Sequence, residues 1–351
     1  MRYYLIAGEA SGDMHGANLM KGILQHDPTA EFRFWGGDKM QAVCGNAPVK
    51  HIKDLAFMGF LEVVKHLPTI LGNISFCKSD ILQYKPDAVI LIDYPGFNFR
   101  LFEFLKQHQL KLIYYISPQL WAWKKNRVFK VKAFVDRLYV IFPFEVDFYK
   151  NYGVEAHYFG HPLLDEISNK VKNSLFYKVN NLSAEPIIGV LPGSRKQEIA
   201  VKLPVMLSMA KYYPKFQFVV ACAPGIEKSY YEQFVREQNV FYLFNQTYDI
   251  LQNSEAALVT SGTATLETAL FNIPQIVCYK GSLISYLIAK QLIKVKYISL
   301  VNLILDRPAV KELIQHDLTT ENLTTELRKL LDPAQSTLIK QDLSELWNIL
   351  S

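Results

Sequence analysis

Short apolar runs rich in β-branched and aromatic residues recur along the chain, at Tyr3 to Ala7, Phe32 to Trp35, Ala88 to Ile92, Lys111 to Ile116 and Leu138 to Phe142. Segments of helical length and period lie between several of them, among them Met14 to Gln25, Arg100 to Gln107 and Glu145 to Tyr152. Strand-length runs alternating with amphipathic helices predict a parallel sheet covered by helices. The pattern restarts after Gly160-His161-Pro162, with strands expected at Ile187 to Leu191, Phe216 to Cys222, Ala256 to Thr260 and Gln275 to Tyr279. Two Rossmann-like α/β halves follow, divided in the polar stretch between Pro162 and Pro186. Beyond Asp306 the strand pattern ends, and helices are expected near Ala309 to Gln315, Glu321 to Leu331 and Ser336 to Leu350.

The 351 residues exceed what a single core usually supports, which agrees with two domains. Their expected bounds are residues 1–165 and 186–325, with a helical segment at 326–351 crossing back to the first domain. With 38 Lys plus Arg against 33 Asp plus Glu the net charge is +5, too weak a bias to indicate a nucleic-acid partner. The 4 cysteines are widely separated and form no C-x-x-C pair, so the sequence suggests neither a zinc site nor a disulfide framework, and points to a reducing compartment. Arg2 precedes only a short apolar stretch that meets Glu9, which suits a first strand and not a signal peptide. The greasiest stretches, Leu55 to Phe76 and Ser282 to Leu305, are interrupted by Glu62, Lys65 and His66 and by Lys290, Lys294 and Lys296. Neither suits a spanning helix, so the chain is expected in the cytoplasm with peripheral attachment to any membrane.

Open α/β sheets bind ligands at the carboxyl ends of their strands, which directs attention to the loops there. The first, Leu5-Ile-Ala-Gly-Glu-Ala-Ser-Gly-Asp13, is a glycine turn that carries Glu9, Ser11 and Asp13, where a phosphate loop would have bare N–H groups. Such a turn suits hydroxyls or cations. In the second half, Leu191-Pro-Gly193-Ser194-Arg195 offers glycine, a hydroxyl and a guanidinium to a phosphate. The stretch from Thr260 to Glu267 opens a helix at Ser261, Gly262 and Thr263, whose N–H groups and dipole can hold an anion. Glu267 can accept hydrogen bonds from a ribose, or it can be the acid of an ordinary capping box. The two loops together favour a nucleotide diphosphate.

Asp93 follows the apolar run Ala88 to Ile92, where partial burial can raise its pKa and make it a base, or where it can brace the turn at Pro95. His15 is a rival base, although a histidine at a helix start more often caps or faces solvent. Trp121-Ala-Trp123 leads into a basic stretch with Lys124, Lys125, Arg127, Lys130, Lys132 and Arg137. It can face anionic headgroups or be a half-buried amphipathic helix with solvated lysines. Leu55 to Phe76 is either core or an acyl-chain groove.

Taken together, Gly8-Glu-Ala-Ser-Gly-Asp13, Met58-Gly-Phe60 with Glu62-Val63, Trp121-Ala-Trp123, Phe142-Pro-Phe-Glu145, Gly160-His-Pro162, Leu191-Pro-Gly-Ser-Arg195 and Ser261-Gly-Thr-Ala-Thr-Leu-Glu267 resemble, in order, the motifs of the lipid-A-disaccharide synthases. The resemblance implies a GT-B fold, two Rossmann-like domains with a cleft between them. It also implies an inverting hexosyltransferase that moves 2,3-diacylglucosamine from UDP-2,3-diacylglucosamine to 2,3-diacylglucosamine 1-phosphate, giving the β-1,6 lipid A disaccharide and UDP. No metal or other cofactor is implied. Carried over by position, Asp93 is the general base. Gly193, Ser194, Arg195, Ser261, Gly262, Thr263, Glu267, Asn302, Glu312 and Gln315 surround the donor. With the donor's phosphates in the second half, the first turn is expected on the acceptor side, where Glu9, Ser11 and Asp13 either touch the acceptor sugar or only fix the turn beneath it. The implied partners are the two lipid-sugar substrates and the inner face of the inner membrane, with no nucleic acid; self-association is compatible with the pattern. Val301 departs from the family's proline, and Gln119, Leu120 and Lys124 depart around the Trp-Ala-Trp core. Two rivals share the scaffold: a UDP-N-acetylglucosamine 2-epimerase-like isomerase, and a non-catalytic lipid-binding protein.

Overall fold

The computed structural model describes residues 1–55, 67–122, 124–234, 237–281 and 296–351, so Met58-Gly-Phe60, Glu62-Val63 and Trp123 lie outside the described residues. The chain divides into two compact units, Met1–Gly160 and His161–Ser351.

The first unit is built on a parallel sheet of order β3-β2-β1-β4-β5-β6-β7. Its strands are β1 Arg2–Ala7, β2 Glu31–Gly36, β3 Lys50–His51, β4 Ala88–Ile92, β5 Lys111–Tyr115, β6 Arg137–Val140 and β7 His157–Tyr158. Every residue of β4, Ala-Val-Ile-Leu-Ile, is buried, as expected of a central strand with helices on both faces. Tyr4, Ile6, Val89 and Leu91 enter one core, and Leu5, Ala7, Ile90 and Ile92 enter the other. This is the period-two alternation of a strand seen from both sides. Buried Asp80, on the helix Leu67–Tyr84, accepts from Arg33 Nε at 2.8 Å and from the Tyr4 hydroxyl at 2.6 Å, joining that helix to β1 and β2.

The second unit repeats the plan with order β10-β9-β8-β11-β12-β13. The strands are β8 Ile187–Leu191, β9 Gln217–Cys222, β10 Val240–Phe244, β11 Ser254–Thr260, β12 Gln275–Tyr279 and β13 Lys311–Ile314. One expectation is corrected here, because residues 311–314 form a strand and not a helix. Lys311–Ile314 adds to the free edge of β12 in parallel register, from Ile276↔Lys311 to Tyr279↔Ile314. The spacing of Val310, Leu313 and Ile314 fits a helical face, but pairing along a whole strand outweighs so short a local preference. The final helix, Pro333–Leu350, buries Leu343, Leu346 and Leu350, and its Trp347 indole N–H donates to the Leu270 carbonyl at 2.9 Å. Among the described residues no helix is long and apolar enough to cross a membrane.

Candidate functional site

Both sheets reverse their strand order once, at β1/β4 and at β8/β11, and such a switch point opens a crevice at the carboxyl edge. In the first unit Ala7 pairs with Ile92, so the turn after β1 and the turn after β4 lie side by side. The Tyr94 ring fills the place a side chain would take at Gly8: a Cβ there would stand 2.3 Å from Tyr94 Cγ. Asp93 and Tyr94 both have left-handed backbones, φ 42° and 48°, an uncommon state for non-glycine residues and an outlier for a bulky one. Two buried donors hold it there. Asn98 Nδ2 and the Tyr114 hydroxyl both donate to the Asp93 carbonyl, at 2.6 and 2.9 Å.

With its backbone so clamped, the half-buried Asp93 carboxyl has no side-chain hydrogen-bond partner among the described residues. Burial, and then the charge of Glu9, push its pKa up to about 6. It is therefore mostly ionised at neutral pH yet more basic than an ordinary carboxylate, and can accept a proton from a hydroxyl. His15 is buried, and burial followed by the charge of Lys39 lowers its pKa to about 4, so it stays neutral.

Glu9 and Ser11 are exposed beside this turn, while Asp13 is buried and points elsewhere. Its carboxylate accepts the backbone N–H groups of Gly37, Lys39 and Met40, at 2.7, 3.1 and 3.1 Å, and so caps the helix Asp38–Cys44. Asp13→Ala is expected to lower stability by about 1–3 kcal/mol, seen as a lower melting temperature, because it strands these donors. A melting curve unchanged by the substitution contradicts the capping role.

In the second unit Leu191 pairs with Val259, which sets the turns after β8 and β11 next to each other. Gly193 and Gly262 have φ of 112° and 131°, values that L side chains rarely adopt, so both turns depend on glycine. Arg195 is the N-cap of the helix Lys196–Leu207, and Gly262 that of the helix Thr263–Leu270; neither N-cap residue caps its helix with its own side chain. Ser194 and Thr263 are exposed at these turns, and Ser261 is half-buried. Glu267 lies beyond the first turn, so the capping-box alternative does not hold. The arrangement gives an anion two adjoining helix starts, hydroxyls and a guanidinium.

Asn302 and Glu312 are turned inward. The Glu312 carboxylate accepts from the backbone of Ile298 and Ser299, at 3.1 and 2.9 Å, and from Asn302 Nδ2 at 2.9 Å. Asn302 also exchanges two bonds with the Val310 backbone, each at 2.9 Å. The pair fixes the entry to the helix Leu300–Leu305. Gln315, at the carboxyl end of β13, has a buried amide nitrogen with no partner among the described residues.

Of the other motifs, Glu145 reaches back over its helix Pro143–Lys150 to accept from Phe142 N at 3.1 Å, and burial pushes its pKa up to about 7. His161 Nδ1 caps the helix Pro162–Ser168 by accepting from Leu163 N at 3.2 Å. The basic stretch is a 3-10 turn, Lys125–Arg127, followed by the helix Val128–Phe134, with Val128 and Val131 buried and Lys124, Lys125, Phe129, Lys130 and Lys132 exposed.

Two Rossmann-like units, each with a switch point at the carboxyl edge of its parallel sheet, define a chain of GT-B fold. Solved structures of the same fold include the UDP-GlcNAc 2-epimerase of Neisseria meningitidis, with TM-score 0.67, 14% identity, and 99% of this chain and 97% of that chain covered. Another is a glycotransferase of kitacinnamycin, with TM-score 0.60, 10% identity and coverage of 99% and 95%. The Lipid-A-disaccharide synthetase family model matches residues 3–348. The lipid-A-disaccharide synthase of Geobacter metallireducens is 38% identical over 338 residues, 94% of this chain and 88% of the relative. The chain belongs to the lipid-A-disaccharide synthetase family, hexosyltransferases that join UDP-sugar and lipid-sugar substrates in lipid A biosynthesis.

Proposed function

We propose that this enzyme transfers 2,3-diacylglucosamine from UDP-2,3-diacylglucosamine to the 6-hydroxyl of 2,3-diacylglucosamine 1-phosphate, with inversion at the anomeric carbon and release of UDP. The observation that carries the mechanism is Asp93, a carboxylate without a side-chain partner among the described residues, whose pKa is pushed up to about 6. It takes the acceptor hydroxyl's proton as that oxygen attacks, with Glu9 and Ser11 lining the acceptor side. Arg195 and the start of the helix Thr263–Leu270 hold the charge that grows on the departing diphosphate, with Gly193, Ser194, Ser261 and Glu267 around it. Gln315 offers its amide N–H, while Asn302 and Glu312 brace the donor wall from behind. No step calls for a metal. The exposed Lys124, Lys125 and Lys130 with Phe129 favour peripheral contact with an anionic membrane surface on the cytoplasmic side.

Incubation with both substrates in the presence of EDTA is expected to yield disaccharide 1-phosphate and UDP in equal amounts, faster when anionic vesicles are added. Epimerised donor, or binding without turnover, overturns transfer. Activity that EDTA abolishes and a divalent cation restores overturns the metal-free step.

A further inference from the structure

The second unit has a buried cation with no part in the scheme above. Lys202 lies within the helix Lys196–Leu207, and its ammonium donates to the Thr260 hydroxyl at the end of β11. Lysine is almost never buried so deeply unless it is paired. Its ionic partner is Glu198, with Oε2 3.8 Å from Nζ, and Oε1 of the same carboxylate accepts from Arg195 Nη1 at 3.2 Å. Burial lowers the Lys202 pKa despite the nearby Glu198. Glu198 Oε2 also sits under the turn after β8, where a Cβ on Gly193 would come within 2.5 Å of it.

Glu198 is thus shared between two cations of opposite accessibility, Arg195 with 58% of its side chain exposed and Lys202 with 4%. An arriving diphosphate can compete only for the exposed one. Were Arg195 the sole partner of Glu198, its departure would strand a partly buried carboxylate, a costly step. With Lys202 behind it, Glu198 keeps a counter-ion. We propose that Lys202 is a positioning residue for the diphosphate site: it holds Glu198 and the end of β11, and thereby releases the Arg195 guanidinium to the ligand. This rests on the donor-site assignment made above.

Calorimetric titration with UDP tests it on the full chain. Lys202→Met is expected to weaken UDP binding at least about tenfold, because Arg195 becomes the only cation left to Glu198 among the described residues. Adding Glu198→Gln to Lys202→Met removes the competing charge and is expected to restore most of the affinity. A purely structural lysine gives a double variant no better than the single one. Where Lys202→Met does not fold, Lys202→Gln, which keeps an N–H donor for Thr260, supports the same comparison. Unchanged affinity in the single variant, or a loss that Glu198→Gln does not relieve, overturns the role of Lys202 and leaves the donor site standing. A wild-type chain that does not bind UDP overturns the donor site itself, and this role with it.

Discussion

Asp93→Asn is expected to lower kcat by at least about a hundredfold while UDP affinity stays unchanged. Asparagine matches the carboxylate in shape and tolerates the left-handed backbone at φ 42°, so the Asn98 and Tyr114 bonds to the Asp93 carbonyl survive. What is lost is the proton acceptor. The wild-type pH profile should agree: a base with pKa about 6 is protonated below that value, so kcat/KM falls roughly tenfold per unit there. Stability should move the other way. The folded pKa lies above the ordinary 3.8, so the folded chain binds a proton that the unfolded chain does not between those values. Stability is therefore lost as pH rises through that window, and Asn escapes the loss. At pH 8 the variant should melt no lower than wild type, as measured by circular dichroism. Near wild-type turnover would remove Asp93 from the proton transfer.

The strands most legible in the sequence are those buried on both faces. Ala88–Ile92, Ile187–Leu191 and Gln275–Tyr279 are found at the residues expected, because a central parallel strand is an unbroken apolar run between turn residues. Edges are harder: β3 and β7 have only 2 residues each, too few for any period, and β13 carries a helical spacing that its pairing overrides. The site was legible as loops and not as roles. Glu9 and Asp13 look alike beside their glycines, but Asp13 caps a helix that begins at Asp38, and no local pattern encodes so distant a partner. Asn302 and Glu312 turn inward for the same kind of reason. Asn98 and Tyr114 escaped notice because they act on a backbone carbonyl, which leaves no motif of charged or nucleophilic residues.

Arg195→Ala is expected to lower kcat/KM by about 10²–10³-fold, the loss seen when one preorganised donor to a developing anion is removed. Its guanidinium stands at the start of the helix Lys196–Leu207, beside the start of the helix Thr263–Leu270, and it is the one cationic side chain assigned to the leaving diphosphate. The fold should be untouched, since an exposed pair such as Arg195–Glu198 is worth at most about 1 kcal/mol and Glu198 retains Lys202. A normal melting temperature with collapsed turnover is therefore the expected signature. Arg195→Lys should recover only part of the rate, because an ammonium is a point charge and cannot grip two oxygens as the planar fork does. The split between the kinetic constants locates the contact. A fall in kcat places it in the transition state, whereas a rise in KM alone means that Arg195 holds the bound donor and the departing UDP equally. Full activity in Arg195→Ala would move the diphosphate away from this turn, toward the helix start at Thr263.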